Sequence, residues 1–169
     1  MRWACAASGS TDVRNQRGQD ALDRLLAGPQ EVCGSPITVA EYTSKIYDHV
    51  RTNEPWGAYF GSEDADRCVK QFMQWLSDET LTIRPLGRRA FEMGMAYVSA
   101  VAARGRRMRG WDAIHLYEAC RWAREIGEQV VLATSDADFQ KTVNLFPEFG
   151  AFVRICDTTS DHQQSERSD

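Results

Sequence analysis

Apolar residues recur every three or four positions in six stretches of the chain and run together in four short ones. In "QDALDRLLAG", Ala21, Leu22, Leu25 and Leu26 share a helical face, and the stretch stops at Gly28-Pro29, a helix end signal. "EVC" is a short strand candidate. Ser35 and Pro36 then suit the cap and first position of a helix carrying Val39, Tyr42, Ile46 and Val50. "NEPWGAYFG" reads as a loop. Ser62, followed by Glu63 and Asp64, opens a helix whose apolar positions include Val69, Phe72, Met73 and Leu76; acids in a first turn suit the helix dipole. "LTIRPL" predicts a short strand, and "RRAFEMGMAYVSAVAARG" a helix. "WDAIHLYEACRWAREIG" predicts another, with Ala113, Leu116, Cys120 and Ala123 on one face. "EQVVLAT" is the best strand signal, apolar and β-branched. "DADFQKTVNLF" predicts a short helix and "GAFVRIC" a last strand.

Strands alternating with helices predict an α/β domain with a mostly parallel sheet. Such sheets place ligands at the carboxyl ends of their strands. "TSDADF" directly follows the carboxyl end of "VVLA", and Glu41 comes soon after "EVC". The chain of 169 residues, 43% of them apolar, has enough material for one domain with a core. No apolar run is long enough to span a membrane, and "MRWACAASGS" lacks the apolar core of a secretory signal, so the chain reads as cytoplasmic. "DTTSDHQQSERSD", 157–169, is polar throughout and reads as a disordered tail. The five cysteines are odd in number and widely spaced, without a CxxC pair. That argues against a disulfide framework or structural zinc site, and most read as small buried hydrophobes.

Charge changes the picture through its distribution. The net charge of −4 does not advertise nucleic-acid binding, yet Arg84, Arg88, Arg89, Arg104, Arg106, Arg107 and Arg109 fall in one short region. They form either a solvated face or a phosphate-binding rim. Three acids occupy places that an α/β ligand site uses: Glu41, Asp112 at the start of its helix, and Asp136 after the strongest strand, with Asp138 two residues on. Singly, each has a structural explanation: Glu41 as a solvated carboxylate, Asp112 stabilising a helix N-terminus, Asp136 capping a helix. Together, like charges need a cation or protons to neutralise them. Magnesium or manganese suits an all-oxygen site.

"SPITVAEY", then "RGWDAIHLYEA", then "VVLATSDADF" resembles the PIN-domain family, which includes the VapC-like ribonuclease toxins. The resemblance covers Ser35 to Cys156. It implies a PIN-like, Rossmann-like three-layer fold over residues 1–156, with a short mostly parallel sheet flanked by helices. It implies a Mg2+- or Mn2+-dependent endoribonuclease, often the toxin of a type II toxin–antitoxin pair. By matching motifs, Glu41, Asp112 and Asp136 are the catalytic acids and metal ligands. Asp138 is a supporting metal ligand, Thr134 helps orient the site, and His115 matches a structural position. The family's first acid ends a first strand that has no counterpart ahead of Glu41. The resemblance therefore implies that this strand and its aspartate fall at or before Met1; Asp12 and Asp20 do not replace it.

The implied partners are RNA, a cognate antitoxin and a second copy of the chain as a homodimer, with no membrane. Arg104, Arg106, Arg107 and Arg109 are the candidates for RNA-backbone contact beside the acids. The alternative is a catalytically impaired PIN-like module that binds RNA or a partner, with Trp56, Tyr59 and Phe60 as candidate contacts. A phosphoaspartyl enzyme needs a nucleophilic aspartate at the end of the first strand, and none is visible.

Overall fold

Ser35 and Thr38 hold each other reciprocally where the described chain enters its first helix. The Ser35 N–H donates to Thr38 Oγ1 at 3.1 Å, and the Thr38 N–H donates to Ser35 Oγ at 3.4 Å. This is a capping box built from two hydroxyls, with Pro36 at the first helical position. The computed structural model describes residues 31–52, 62–134 and 136–157, with Arg24, Leu26, Ala27 and Gly28; at 48–52, 64 and 157 it describes the backbone alone. The described elements are β1 (Cys33–Gly34), α1 (Pro36–Thr52), α2 (Ser62–Ser77), β2 (Thr82–Ile83), α3 (Ala90–Ala102), α4 (Gly110–Ile126), β3 (Val130–Thr134), α5 (Ala137–Leu145), α6 (Pro147–Gly150) and β4 (Val153–Asp157). Most of the helix expected around 19–28, the loop aromatics Trp56, Tyr59 and Phe60, and the tail 158–169 lie outside the described residues. Asp157, expected in the tail, is the last residue of β4.

The chain is mixed α/β, with parallel strand pairs. β1 pairs with β2 through Cys33↔Thr82 and Gly34↔Ile83. β3 pairs with β4 over five residues, from Val130↔Val153 to Thr134↔Asp157. The expected single sheet is therefore two separate two-stranded sheets among the described residues. Each β1 residue already pairs with β2, and two residues are a short ladder. β1 reaches no strand of the β3–β4 pair.

Three apolar clusters hold the elements. The largest joins Val101 of α3, Leu116 and Cys120 of α4, Phe139 and Val143 of α5, Phe149 of α6 and Val153 of β4. A second joins Tyr42 and Ile46 of α1 to Ala65, Cys68 and Phe72 of α2. There Tyr42 stacks on Phe72 with ring centroids 4.3 Å apart, and its hydroxyl donates to the Cys68 carbonyl at 3.2 Å. The third, Ile37 with Ala90 and Ile114, ties α1 to α3 and α4. The α3–α4 crossing is close: a Cβ on Gly94 would lie 2.5 Å from Ile114 Cγ1, so only glycine fits. Gly127, at φ 74°, ends α4 in the left-handed conformation. Cys68 and Cys120 are buried and Cys33 and Cys156 half-buried.

One buried carboxylate belongs to the scaffold. Glu118, 1% exposed, takes Arg121 Nε and Nη2 on Oε2 at 3.0 and 2.7 Å and the Gly87 N–H on Oε1 at 3.0 Å. Arg121 also donates to the Pro85 carbonyl at 3.0 Å and to Glu125. A Cβ on Gly87 would sit 2.9 Å from the Arg121 side chain and 3.0 Å from Glu118 Oε1. The glycine lets the loop before α3 close on the pair. No helix among the described residues is long and apolar enough to cross a membrane.

Candidate functional site

Three elements bring acids together. β3 ends at Thr134, whose hydroxyl accepts the Asp136 N–H at 3.0 Å. That turn sets Asp136 as the N-cap of α5, with Oδ1 accepting the Asp138 N–H at 2.9 Å. Asp136 thus performs the capping role its position suggested. α4 opens differently. Arg109, in extended backbone, is its N-cap and makes no side-chain cap bond. Asp112 lies in the first turn, favoured by the helix dipole but not itself the cap. Among the described residues no hydrogen-bond donor reaches its carboxylate. α1 supplies Glu41, half-buried, and His115 Nε2 donates to Glu41 Oε2 at 3.0 Å.

The electrostatics link these groups. Burial pushes the Asp112 carboxyl above its ordinary range, and the neighbouring Asp136 and Glu41 push it further; Arg109 and His115 oppose the shift. The hydrogen bond from His115 pulls Glu41 below its ordinary range against its own partial burial. Glu41, Asp112, Asp136, His115 and Arg109 therefore form one interacting group, although they come from three elements far apart in sequence.

Asp138 is placed elsewhere. It is exposed and paired with Lys141 Nζ at 2.7 Å, and it is not among the groups that act on Asp112. Arg106, Arg107, Asp138, Lys141 and Thr142 line a cavity of about 290 Å3, a cationic wall next to the β3–α5 turn. Arg104 lies over the Phe146 ring, 4.0 Å from its centroid, and Arg109 stays beside Asp112. The four expected phosphate contacts thus divide: two face a cavity, one covers an aromatic ring and one caps α4. Sequence reasoning missed Lys141, although its i,i+3 spacing from Asp138 was a readable signal. It also missed the His115–Glu41 bond, which joins positions 74 residues apart.

Carboxylate oxygens are the donor set that a hard divalent cation prefers. Asp112, crowded by like charge and lacking a donor, fits that chemistry. Among the described residues, however, no group of three or more acid, histidine or cysteine side chains is gathered closely enough to hold a metal ion. The fit is to a cation held by few protein oxygens. Compared with protein-family models, curated proteins and solved structures, the chain shows no match.

Proposed function

We propose that this chain is a Mg2+- or Mn2+-dependent endoribonuclease of PIN type, with a PIN-like arrangement of its strands, acting as the toxin of a type II toxin–antitoxin pair. The observation that carries the reading is Asp112: a half-buried carboxylate without a donor, set against Asp136 and Glu41 at the carboxyl end of β3. Its carboxylate reaches solvent but no protein donor among the described residues, and a cation would relieve the like charges beside it. The motif order from Ser35 to Cys156 supports the same reading.

Asp112 and Asp136 would supply the few protein oxygens for the cation, with Glu41, tied to His115, beside them; when bound, the cation would supply positive charge to a phosphodiester and activate water. His115 fixes the Glu41 carboxylate by its hydrogen bond. Thr134 fixes the turn that presents Asp136. Arg106, Arg107 and Lys141 offer positive charge to neighbouring phosphates, which adds affinity without sequence preference. A second reading, a catalytically impaired module that binds RNA or a partner, is favoured by the lack of a gathered three-ligand set among the described residues.

An RNA cleavage assay separates the two. The nuclease reading expects cleavage with manganese, none with chelator, and a loss of at least about 100-fold in Asp112→Asn or Asp136→Asn, the scale of removing one charge-stabilising group. Cleavage that survives in chelator, or in Asp112→Asn, removes the metal mechanism. An inactive chain, with or without an N-terminal extension, that still binds RNA supports the module.

A further inference from the structure

Three large apolar side chains stand exposed in the first two turns of α3 and the first turn of α4, the helix that carries Asp112. Trp111 is 50% exposed, Phe91 57% and Met95 65%. Trp111 is the residue before Asp112, in the first turn of α4. Phe91 and Met95 lie one turn apart on α3. The Phe91 and Trp111 rings meet edge to face, with centroids 6.3 Å apart and planes at 75°, which leaves ring faces open. Gly94 lets α3 pack closely against Ile114 of α4.

Next to this patch along the chain stand three arginines and two acids, Glu92 and Asp112. Arg88 and Arg89 directly precede α3, and Arg109 directly precedes α4. Arg89 is held by Glu92 at 2.6 Å, while Arg88 has no ion-pair partner among the described residues. An apolar protein surface would find arginines at the rim of a three-residue patch. A nucleotide finds complementary charge for its phosphate and an aromatic face for its base.

We propose that Trp111, with Phe91 and Met95, is a stacking platform for a nucleobase, placing the adjacent phosphate beside Asp112. The proposal rests on the nuclease reading for what happens at that phosphate, but not for the binding itself. Stacking on a protein aromatic is tolerant of base identity and requires an unpaired base. The platform therefore selects single-stranded over duplex RNA and fixes where the strand sits relative to the acids.

The test is fluorescence anisotropy of a short labelled adenosine homopolymer, of the same strand with abasic positions, and of a duplex, all in chelator so that no cleavage occurs. The full chain should bind the intact strand roughly tenfold more tightly than the abasic one, and more tightly than the duplex. Trp111→Leu, which keeps an apolar side chain against Phe91, should lose that tenfold difference; Trp111→Phe should retain most of it. Far-UV circular dichroism verifies that both variants are folded. Equal affinity of the unsubstituted chain for intact and abasic strands overturns the proposal without any variant. So does a Trp111→Leu protein that still discriminates, or one that changes only the oligomeric state seen by sedimentation. Base-dependent binding without manganese-dependent cleavage keeps the platform and removes the nuclease reading. Cleavage without base-dependent binding does the reverse.

Discussion

Two carboxylates on α4 have opposite environments. Glu118 is buried and fully served, by two guanidinium nitrogens and a backbone N–H. Asp112, less than two turns away, is half-buried and served by none among the described residues, and its acidic neighbours repel it. Burial of a charge alone therefore does not mark a functional acid. The informative quantity is burial without partners, since a buried charge is stable only when donors or counter-ions compensate it. Glu118 spends its charge on holding the loop before α3. Asp112 has like charge beside it and solvent, rather than a protein donor, at its oxygens.

The largest effect should come from breaking the served acid. Arg121→Met leaves Glu118 buried with only the Gly87 N–H, and should destabilise the fold by about 3–5 kcal/mol. A denaturant titration reads this directly, and a loss below 1 kcal/mol would mean that the pair is a surface contact. The unserved acid should respond in the opposite sense. Asp112→Asn removes a repelled charge and should raise the melting temperature at pH 7 by about 2–4 °C, the shift that roughly 1 kcal/mol gives a chain of this size. The sign follows from linkage. A carboxyl held above its ordinary range keeps its proton in the folded state while the unfolded chain has released it. Stability then falls as pH rises from the ordinary carboxylate range through the raised value. The gain from Asp112→Asn should therefore shrink below pH 4, and a destabilised Asp112→Asn at pH 7 would break the contrast.

Manganese should sharpen it further. At ten times its dissociation constant a ligand of the folded state contributes about 1.4 kcal/mol. A thermal shift of that size in the unsubstituted chain should vanish in Asp112→Asn and persist in Lys141→Ala. The smallest effect belongs to the exposed pair. Lys141→Ala breaks a bond to Asp138 at a surface where both partners meet water, and should change stability by less than about 1 kcal/mol. Its consequence should appear instead as a shallower salt dependence of RNA binding.

Most described elements were legible in the sequence because their patterns are strong. The helix from Pro36 and the strand at Val130–Thr134 begin or end where Ser35 and the "TSD" turn say they should. The short α6 was not legible. Four residues are too few to show a helical period, and the expected last strand accordingly began at Gly150 instead of Val153. The split into two sheets was hidden too, because strand pairing depends on neighbours that local pattern cannot name. At the site, motif order pointed to Glu41, Asp112 and Asp136, but nothing local told that Asp138 turns to Lys141. The burial of Glu118 beside Arg121 had no local signature in the sequence. It is buried because Gly87 admits backbone at close range, a fact that resides in a different segment.

The two short sheets have a consequence for how the molecule opens. The β1–β2 ladder joins two residues to two, whereas β3–β4 joins five to five beneath the largest cluster. Backbone amides of the first pair should exchange with deuterium well before those of the second, as separate cooperative units do. Asp136 hangs from the slow unit and Glu41 from the helix that follows the fast one. A cation held between them would join the two strand pairs beyond the Ile37–Ala90–Ile114 contact, and its arrival would be seen as slower exchange at Cys33 and Gly34.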